Sequence, residues 1–226
     1  KSLYKDNKTF YKNISELDGG HNLFLNLRNN KISKQKYIKN IFNKKISSDI
    51  NENIYSIKNL LLNSIKVRLR SDVPIAFCLS GGVDSGSIAS IASKEFNIKP
   101  NCYSIIDEDK RYNETKNINE FKSKIDCNVN FVPTKKLKFK NFIDNLTSQI
   151  NYSKLPVSTI SYYNHNFLIE KIKNDNIKVV LSGTGADEIF TGYYDHHLMF
   201  LREIYKAKKY KNELMYWNKF IKKNIR

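Results

Sequence analysis

The chain has 226 residues, 40% of them apolar, so it can bury the core of one large domain or of a main domain plus a small one. It contains no run of 18 apolar residues, which argues against a membrane-spanning helix and a membrane partner. The formal net charge of +17 is compatible with nucleic-acid binding, but only six of the 39 basic residues are arginine and the lysines are scattered. We therefore interpret the charge as a compositional bias and expect no nucleic-acid partner.

The cysteines Cys78, Cys102 and Cys127 form no CxxC pair, which argues against a disulfide framework and a zinc site. We interpret them as small buried apolar side chains in a reducing compartment. The first residues, KSLYKDNKTFYKN, lack the apolar segment of a signal peptide. A cytoplasmic location is therefore expected.

In chain order, the first predicted element is a β-hairpin over residues 20–38, where leucines alternate with polar residues and Asn29-Asn30 supplies the turn. The polar stretch 40–51 is interpreted as a linker. Isoleucines and leucines at helical spacing then predict a helix over 52–69.

From residue 74 onward, short apolar runs alternate with helical patterns. The runs predict strands at 74–79, 102–106, 129–132 and 177–182. The helical patterns lie at 88–96, 113–125, 136–150 and 159–173, and in the tail from 198. This alternation predicts an α/β fold, a parallel sheet with helices on both faces, preceded by the short hairpin.

The stretch SGGVDS, residues 80–85, lies between a predicted strand and a predicted helix. Gly81 and Gly82 allow the backbone to approach a ligand closely, and the start of the following helix is electropositive. The hydroxyls of Ser80 and Ser85 add donors, so the loop is predicted to bind phosphate oxygens. It is not a Walker A loop, because no lysine follows the glycines.

Asp84 admits two interpretations. A carboxylate beside phosphates is useful where Mg²⁺ lies between them, since Mg²⁺ prefers carboxylate, phosphate and water oxygens. Alternatively, Asp84 caps the helix at Ser85, a position that suits aspartate. The neighbouring glycines and serine favour the interpretation of Asp84 as a metal ligand.

Two longer stretches carry a family resemblance. RLRSDVPIAFCLSGGVDS, residues 68–85, resembles the pyrophosphate loop of the N-type ATP pyrophosphatases, and its lead-in is similar to that of the asparagine synthetases. VVLSGTGADEIFTGYYDHH, residues 179–197, resembles the second signature of the asparagine synthetase family. ISELDGGHNLFLNL, residues 14–27, is similar to the end of that family's N-terminal glutaminase domain.

The resemblance implies an adenine nucleotide alpha hydrolase-like fold and two domains, the end of a glutaminase domain with a linker at 1–50 and an ATP-binding synthetase domain at 51–226. It also implies a fragment, because the glutaminase cysteine should lie upstream and a lysine segment that contacts pyrophosphate should lie downstream. The implied reaction uses ATP and Mg²⁺ to adenylate a carboxylate such as aspartate. Ammonia from glutamine then forms the amide. The partners are therefore small molecules and an upstream glutaminase domain, and a homodimer is left open.

The family's functional positions carry over onto this sequence. Those implied to contact the nucleotide are Leu79, Ser80, Gly81, Gly82, Asp84, Ser85, Ile105, Ser182 and Gly183. Asp187 is implied to join Asp84 around Mg²⁺, and Glu188 either takes part in the chemistry or holds the loop by hydrogen bonds. Tyr193 is expected to pack, and His165 is expected to be a core residue without a role.

Two departures from the family's pattern bear on the acceptor. Thr184 stands where the family has an acid that helps to form aspartyl-adenylate, and Lys154-Leu155-Pro156 replaces an acidic Asp-Glu-Pro. Because threonine cannot carry the charge, either the acceptor is an acid other than aspartate or its activation is weak. We interpret both departures as favouring another acceptor, with Thr184 as a candidate catalytic position. A β-lactam-forming type of adenylating enzyme and an inactive nucleotide-binding remnant remain the alternatives.

Overall fold

A computed structural model describes residues 7–38, 47–134, 139–206 and 210–221. The strands are β1 (His21–Asn26), β2 (Lys31–Lys36), β3 (Ile75–Cys78), β4 (Asn101–Ile106), β5 (Asn128–Pro133) and β6 (Val179–Leu181). The helices are α1 (Ile50–Arg68), α2 (Val83–Phe96), α3 (Thr115–Lys124), α4 (Phe139–Ser153), α5 (Ile160–Asn174), α6 (Ala186–Phe190), α7 (Tyr194–Lys206) and α8 (Tyr210–Tyr216), followed by a π-helical turn (Trp217–Ile221). Each helix within these ranges is too short or too polar to reach across a bilayer.

The main sheet is parallel, as predicted, and its strand order is β5-β4-β3-β6. Strand β3 is central: Phe77 is paired with Cys102 of β4 on one side and with Leu181 of β6 on the other. In a parallel sheet, the chain must cross over between strands, and here helices make the crossovers. The carboxyl ends of β3, β4 and β6 therefore open onto the same edge.

Helices cover both faces of this sheet, because successive side chains of each strand point in opposite directions. One buried cluster contains Phe77 and Leu79 from the central strand and its end, Ala89 and Ala92 of α2, and Ile118 of α3. The opposite cluster contains Ala76 of β3, Tyr103 of β4, and Leu168 and Ile172 of α5. The α/β prediction with helices on both faces is thus confirmed.

The hairpin of β1 and β2 is also confirmed, with Asn26 opposite Lys31. The side-chain oxygens of Asn26 and Asn29 accept bonds from the backbone N–H groups of Arg28 and Lys31, so asparagines shape the turn. The linker prediction at 40–51 lies mostly outside the described residues. Its last residues are described, and there the Asp49 side chain caps α1 by accepting from the N–H of Asn51 at 2.8 Å.

The second half differs from the sequence prediction in one respect. The tail helix was expected from residue 198, whereas α6 and the start of α7 lie earlier, within the signature stretch 179–197. Thr191, with a φ of 65°, separates the two helices. Because α6 has only five residues, its apolar spacing was too short to recognise. The first three residues of the helix expected over 136–150 lie outside the described ranges.

Cys102 and Cys127 are buried and Cys78 is half-buried at the cleft, and this gives a first prediction. Burial raises the pKa of Cys78 to about 11 and, together with the neighbouring Cys127, that of Cys102 to about 12. Burial also raises the pKa of Cys127. The thiolate is the nucleophile, so all three should react slowly with an aromatic disulfide reagent near neutral pH and promptly after unfolding in guanidinium. Rapid labelling of the folded protein would contradict the structure.

Candidate functional site

A cleft of about 750 Å³ lies at the carboxyl ends of β3, β4 and β6. Nine residues singled out from the sequence line it, namely Leu79, Ser80, Asp84, Ser85, Ile105, Ser182, Gly183, Thr184 and Asp187. They come from segments about 100 residues apart in the chain, which the parallel pairing of β3 with β6 brings together. Gly81, Gly82 and Glu188 are not among the lining residues.

The first turn, between β3 and α2, is held by its serines. The N–H of Ser80 donates to the Ser85 hydroxyl oxygen at 3.0 Å, and the two hydroxyls are 2.9 Å apart. The N–H of Gly82 donates to the Ser80 hydroxyl oxygen at 3.2 Å. The Ser85 hydroxyl also donates to the Ser80 carbonyl oxygen at 3.3 Å. These bonds close the turn, and Ser80 and Ser85 both line the cleft.

The start of α2 is arranged for an anion. Its N-cap is Gly82, which offers no side chain, so the first-turn N–H groups receive no side-chain cap. Asp84 lies within the first turn instead of at the cap, and the alternative that it caps the helix at Ser85 is therefore wrong. Uncapped N–H groups and the helix dipole together favour a phosphate oxygen at this end.

The second turn, after β6, lies directly on the first. A Cβ atom added to Gly183 would be 2.9 Å from the backbone nitrogen of Ser85 and 3.1 Å from Cβ of Asp84. No side chain fits there without moving backbone. On the other side of this turn, Ser182 and Thr184 share a hydroxyl hydrogen bond of 2.8 Å, so the Thr184 hydroxyl is tied to its own turn.

Asp187 is in the first turn of α6, with its carboxylate packed against Gly192, where no side chain fits. Asp84 and Asp187 thus line one cleft from opposite turns. Among the described residues, no group of three or more His, Cys, Asp or Glu side chains forms a metal cage. Two carboxylates fit Mg²⁺, which proteins commonly hold through one or two carboxylates plus substrate phosphates and water.

The Glu188 side chain does not line the cleft and instead contacts Tyr193. It accepts a hydrogen bond of 2.6 Å from the hydroxyl of Tyr193, linking α6 to the segment before α7. This bond lowers the pKa of Glu188 and is the main cause that raises the pKa of Tyr193 to about 12. Of the two roles expected for Glu188, holding the segment is the one for which the structure shows a contact.

Some lining residues were missed or misjudged. His165 was expected in the core, but it is exposed and lines the cleft, so that expectation is wrong. It belongs to one face of α5 formed by Ile160, Ser161, Asn164, His165 and Leu168. Their spacing of three and four residues was a signal for a shared face. Asp107 and Glu114 follow the carboxyl end of β4, the edge at which ligands bind such sheets.

The charge of the cleft is opposite to that of the chain. Four carboxylates line it, those of Asp84, Asp107, Glu114 and Asp187, and the described lining contains neither lysine nor arginine. A bare polyphosphate would be repelled by this lining. A cation bound together with such a ligand would offset this repulsion.

The second departure noted in the sequence also lies near this cleft. Leu155 and Pro156 line a neighbouring cleft of about 480 Å³. His165 lines both clefts. Thr184 and the segment before Val157, the two positions at which the family's pattern has acids, therefore line clefts that share His165.

Comparison with known proteins shows the family to which the chain belongs. The sequence profile of the asparagine synthase family matches residues 56–224. A putative glutamine-hydrolysing asparagine synthetase of Methanocaldococcus jannaschii is 31% identical over 199 residues, covering 83% of this chain and 36% of the relative. The amidase chyE of Penicillium rubens is 28% identical over 206 residues, covering 83% and 30%. Asparagine synthetase 2 of Bacillus subtilis is 26% identical over 210 residues, covering 85% and 27%. The chain thus spans about a third of the length of these relatives.

The contact at Gly183 gives a second prediction. Gly183→Ala would force the turn away from the backbone of Ser85, and overpacking of this kind costs about 1–3 kcal/mol. Gly86→Ala is the matched control, because its Cβ would meet only the Phe121 ring at 3.4 Å, an ordinary contact. Urea unfolding should show a loss of stability for the first variant and little change for the second. Equal stabilities would contradict the close contact of the two turns.

Proposed function

Because the chain belongs to the asparagine synthase family, we propose that it supplies the ATP-binding part of a carbon–nitrogen ligase. The enzyme adenylates a carboxylic acid and converts it into an amide. The observation that supports this best is the placement of Asp84 and Asp187 in one cleft, on two turns that touch.

In the proposed reaction, a carboxylate oxygen of the acceptor attacks the α-phosphorus of ATP. The bond from that phosphorus to the oxygen bridging it to the β-phosphorus breaks, and pyrophosphate leaves with this oxygen. Ammonia then attacks the acyl carbon of the mixed anhydride. AMP leaves with the electron pair of the broken C–O bond, and the nitrogen loses a proton as the amide forms.

Each part of the cleft has a task in this scheme. The uncapped start of α2 and the hydroxyls of Ser80 and Ser85 are suited to bind the pyrophosphate portion, because donors aimed at developing negative charge stabilise a leaving group. Leu79 and Ile105 offer apolar surface to the adenosine. Ser182 and Gly183 of the second turn form the wall on its other side. Asp84 and Asp187 would hold Mg²⁺, which supplies the positive charge that the acidic lining lacks.

The acceptor is proposed to be an acid other than aspartate. Thr184 cannot carry a negative charge, and its hydroxyl is bonded to Ser182. The neighbouring segment, Lys154-Leu155-Pro156, likewise carries no acid. Two relatives are named as glutamine-hydrolysing asparagine synthetases, which supports an amide product and glutamine as the source of the ammonia. The glutaminase that releases this ammonia is proposed to be an upstream domain. A cytoplasmic location completes the proposal.

Exchange of radiolabelled pyrophosphate into ATP tests the adenylation step, and this is a third prediction. In the full-length protein, acid-dependent exchange should fall roughly 100-fold or more in Asp84→Asn and in Asp187→Asn, because each removes charge from the metal position. Asp126→Asn is the control, since Asp126 is 77% exposed and pairs with Lys99 on the surface. Wild-type exchange in both site variants would rule out the metal assignment, and no exchange in the wild type with any carboxylic acid would indicate an inactive nucleotide-binding protein.

A fourth prediction concerns Thr184. Thr184→Glu restores the acid of the family's pattern and should increase aspartate-stimulated exchange. Thr184→Gln matches the size of glutamate without its charge and should give no increase. If the glutamate variant responds to aspartate no better than the glutamine variant, the explanation of this departure is wrong.

A further inference from the structure

One hydrogen bond of the first turn joins it to the start of α3. The N–H of Gly81 donates to Oε2 of Glu114 at 2.9 Å, across 33 residues of sequence. Glu114 also lines the cleft. A side-chain carboxylate therefore holds a backbone donor of the same loop that the proposed function assigns to pyrophosphate.

The backbone of Glu114 is anchored in the fold. Glu114 is the N-cap residue of α3, and its carbonyl accepts the N–H of Ile118 at 3.0 Å. Ile118 is 1% exposed and packs in the core cluster with Phe77. The Glu114 side chain makes no cap bond to its own helix, which leaves it available to reach Gly81.

The fit between Gly81 and α3 is close. A Cβ atom added to Gly81 would be 2.9 Å from Cβ of Asn117 and 3.1 Å from Cβ of Glu114. The loop thus rests on the first turn of α3, and the hydrogen bond fixes the direction of the peptide between Ser80 and Gly81. The bond is exposed to solvent, which weakens it, and its acceptor is charged, which strengthens it.

We propose that Glu114 is a positioning residue for the phosphate loop, an inference that rests on the proposed function. By binding the N–H of Gly81, Glu114 holds the loop against α3 while Ser80 and Ser85 line the cleft. The loop is thereby ordered before the nucleotide arrives, so binding does not have to order it. Glu114 itself contacts no reacting atom.

Two conservative variants separate the hydrogen bond from the charge. Glu114→Gln keeps an oxygen at the same reach but loses the charge. Glu114→Asp keeps the charge at the start of α3 but is one methylene too short for Gly81, and aspartate is a favourable N-cap, so this variant should fold. Glu120→Ala is the control on the same helix, because Glu120 is exposed and pairs with Lys124.

The test is the dissociation constant of Mg-ATP, measured by calorimetry on the full-length protein, together with KM values in acid-dependent exchange. Glu114→Asp should weaken ATP binding about tenfold, whereas Glu114→Gln should stay within about threefold of the wild type. Losing the hydrogen bond altogether costs more binding free energy than replacing its charged acceptor with a neutral one. The KM for the acceptor acid and the properties of Glu120→Ala should not change. This pattern supports a role through the Gly81 bond.

Other patterns would overturn the inference. If Glu114→Asp binds ATP as the wild type does while Glu114→Gln is weakened, the charge matters and the bond does not. If both variants bind ATP as the wild type does, Glu114 does not position the loop. If either variant binds ATP more tightly than the wild type, the carboxylate competes with phosphate oxygens and does not assist them. A wild type that binds Mg-ATP without exchange would refute the proposed ligase, but the dissociation constants would still decide the role of Glu114.

Discussion

The site depends on the close approach of two backbones. The Cα of Gly183 lies so near the backbone nitrogen of Ser85 that no side chain fits between them. This approach is possible because β6 pairs directly with β3, with Leu181 opposite Phe77, so the two turns leave the sheet side by side. Without that contact Asp84 and Asp187 would not face a common cleft, and the anion-binding start of α2 would have no opposing wall.

The distribution of charge shows how little the net charge says about a site. The chain carries a formal charge of +17, yet the cleft is lined by four carboxylates. Net charge governs solubility and long-range attraction, whereas a site responds to the groups within a few ångströms. In this cleft the uncapped start of α2 provides backbone donors and the side chains provide negative charge, which a cation bound with a polyphosphate would offset.

Much of this arrangement could be predicted from the sequence. Short apolar runs located all four strands of the main sheet, and the rule that ligands bind at the carboxyl ends of such strands placed Asp84 and Asp187 together. Contacts between distant segments could not be predicted, because local spacing does not encode them. The bond of Gly81 to Glu114, which are 33 residues apart, depends on tertiary packing.

The two halves of the cleft are built differently, and this explains where the chain departs from the family's pattern. The side of the cleft that is proposed to bind the nucleotide consists largely of backbone: Gly183 against Ser85, an uncapped helix start, and serines that close their own turn. A side chain added at such a close backbone contact would displace the backbone, so this side tolerates few changes. The side that is proposed to face the acceptor presents a side chain, that of Thr184. A change of acceptor acid is therefore the functional change that this fold can accommodate most easily.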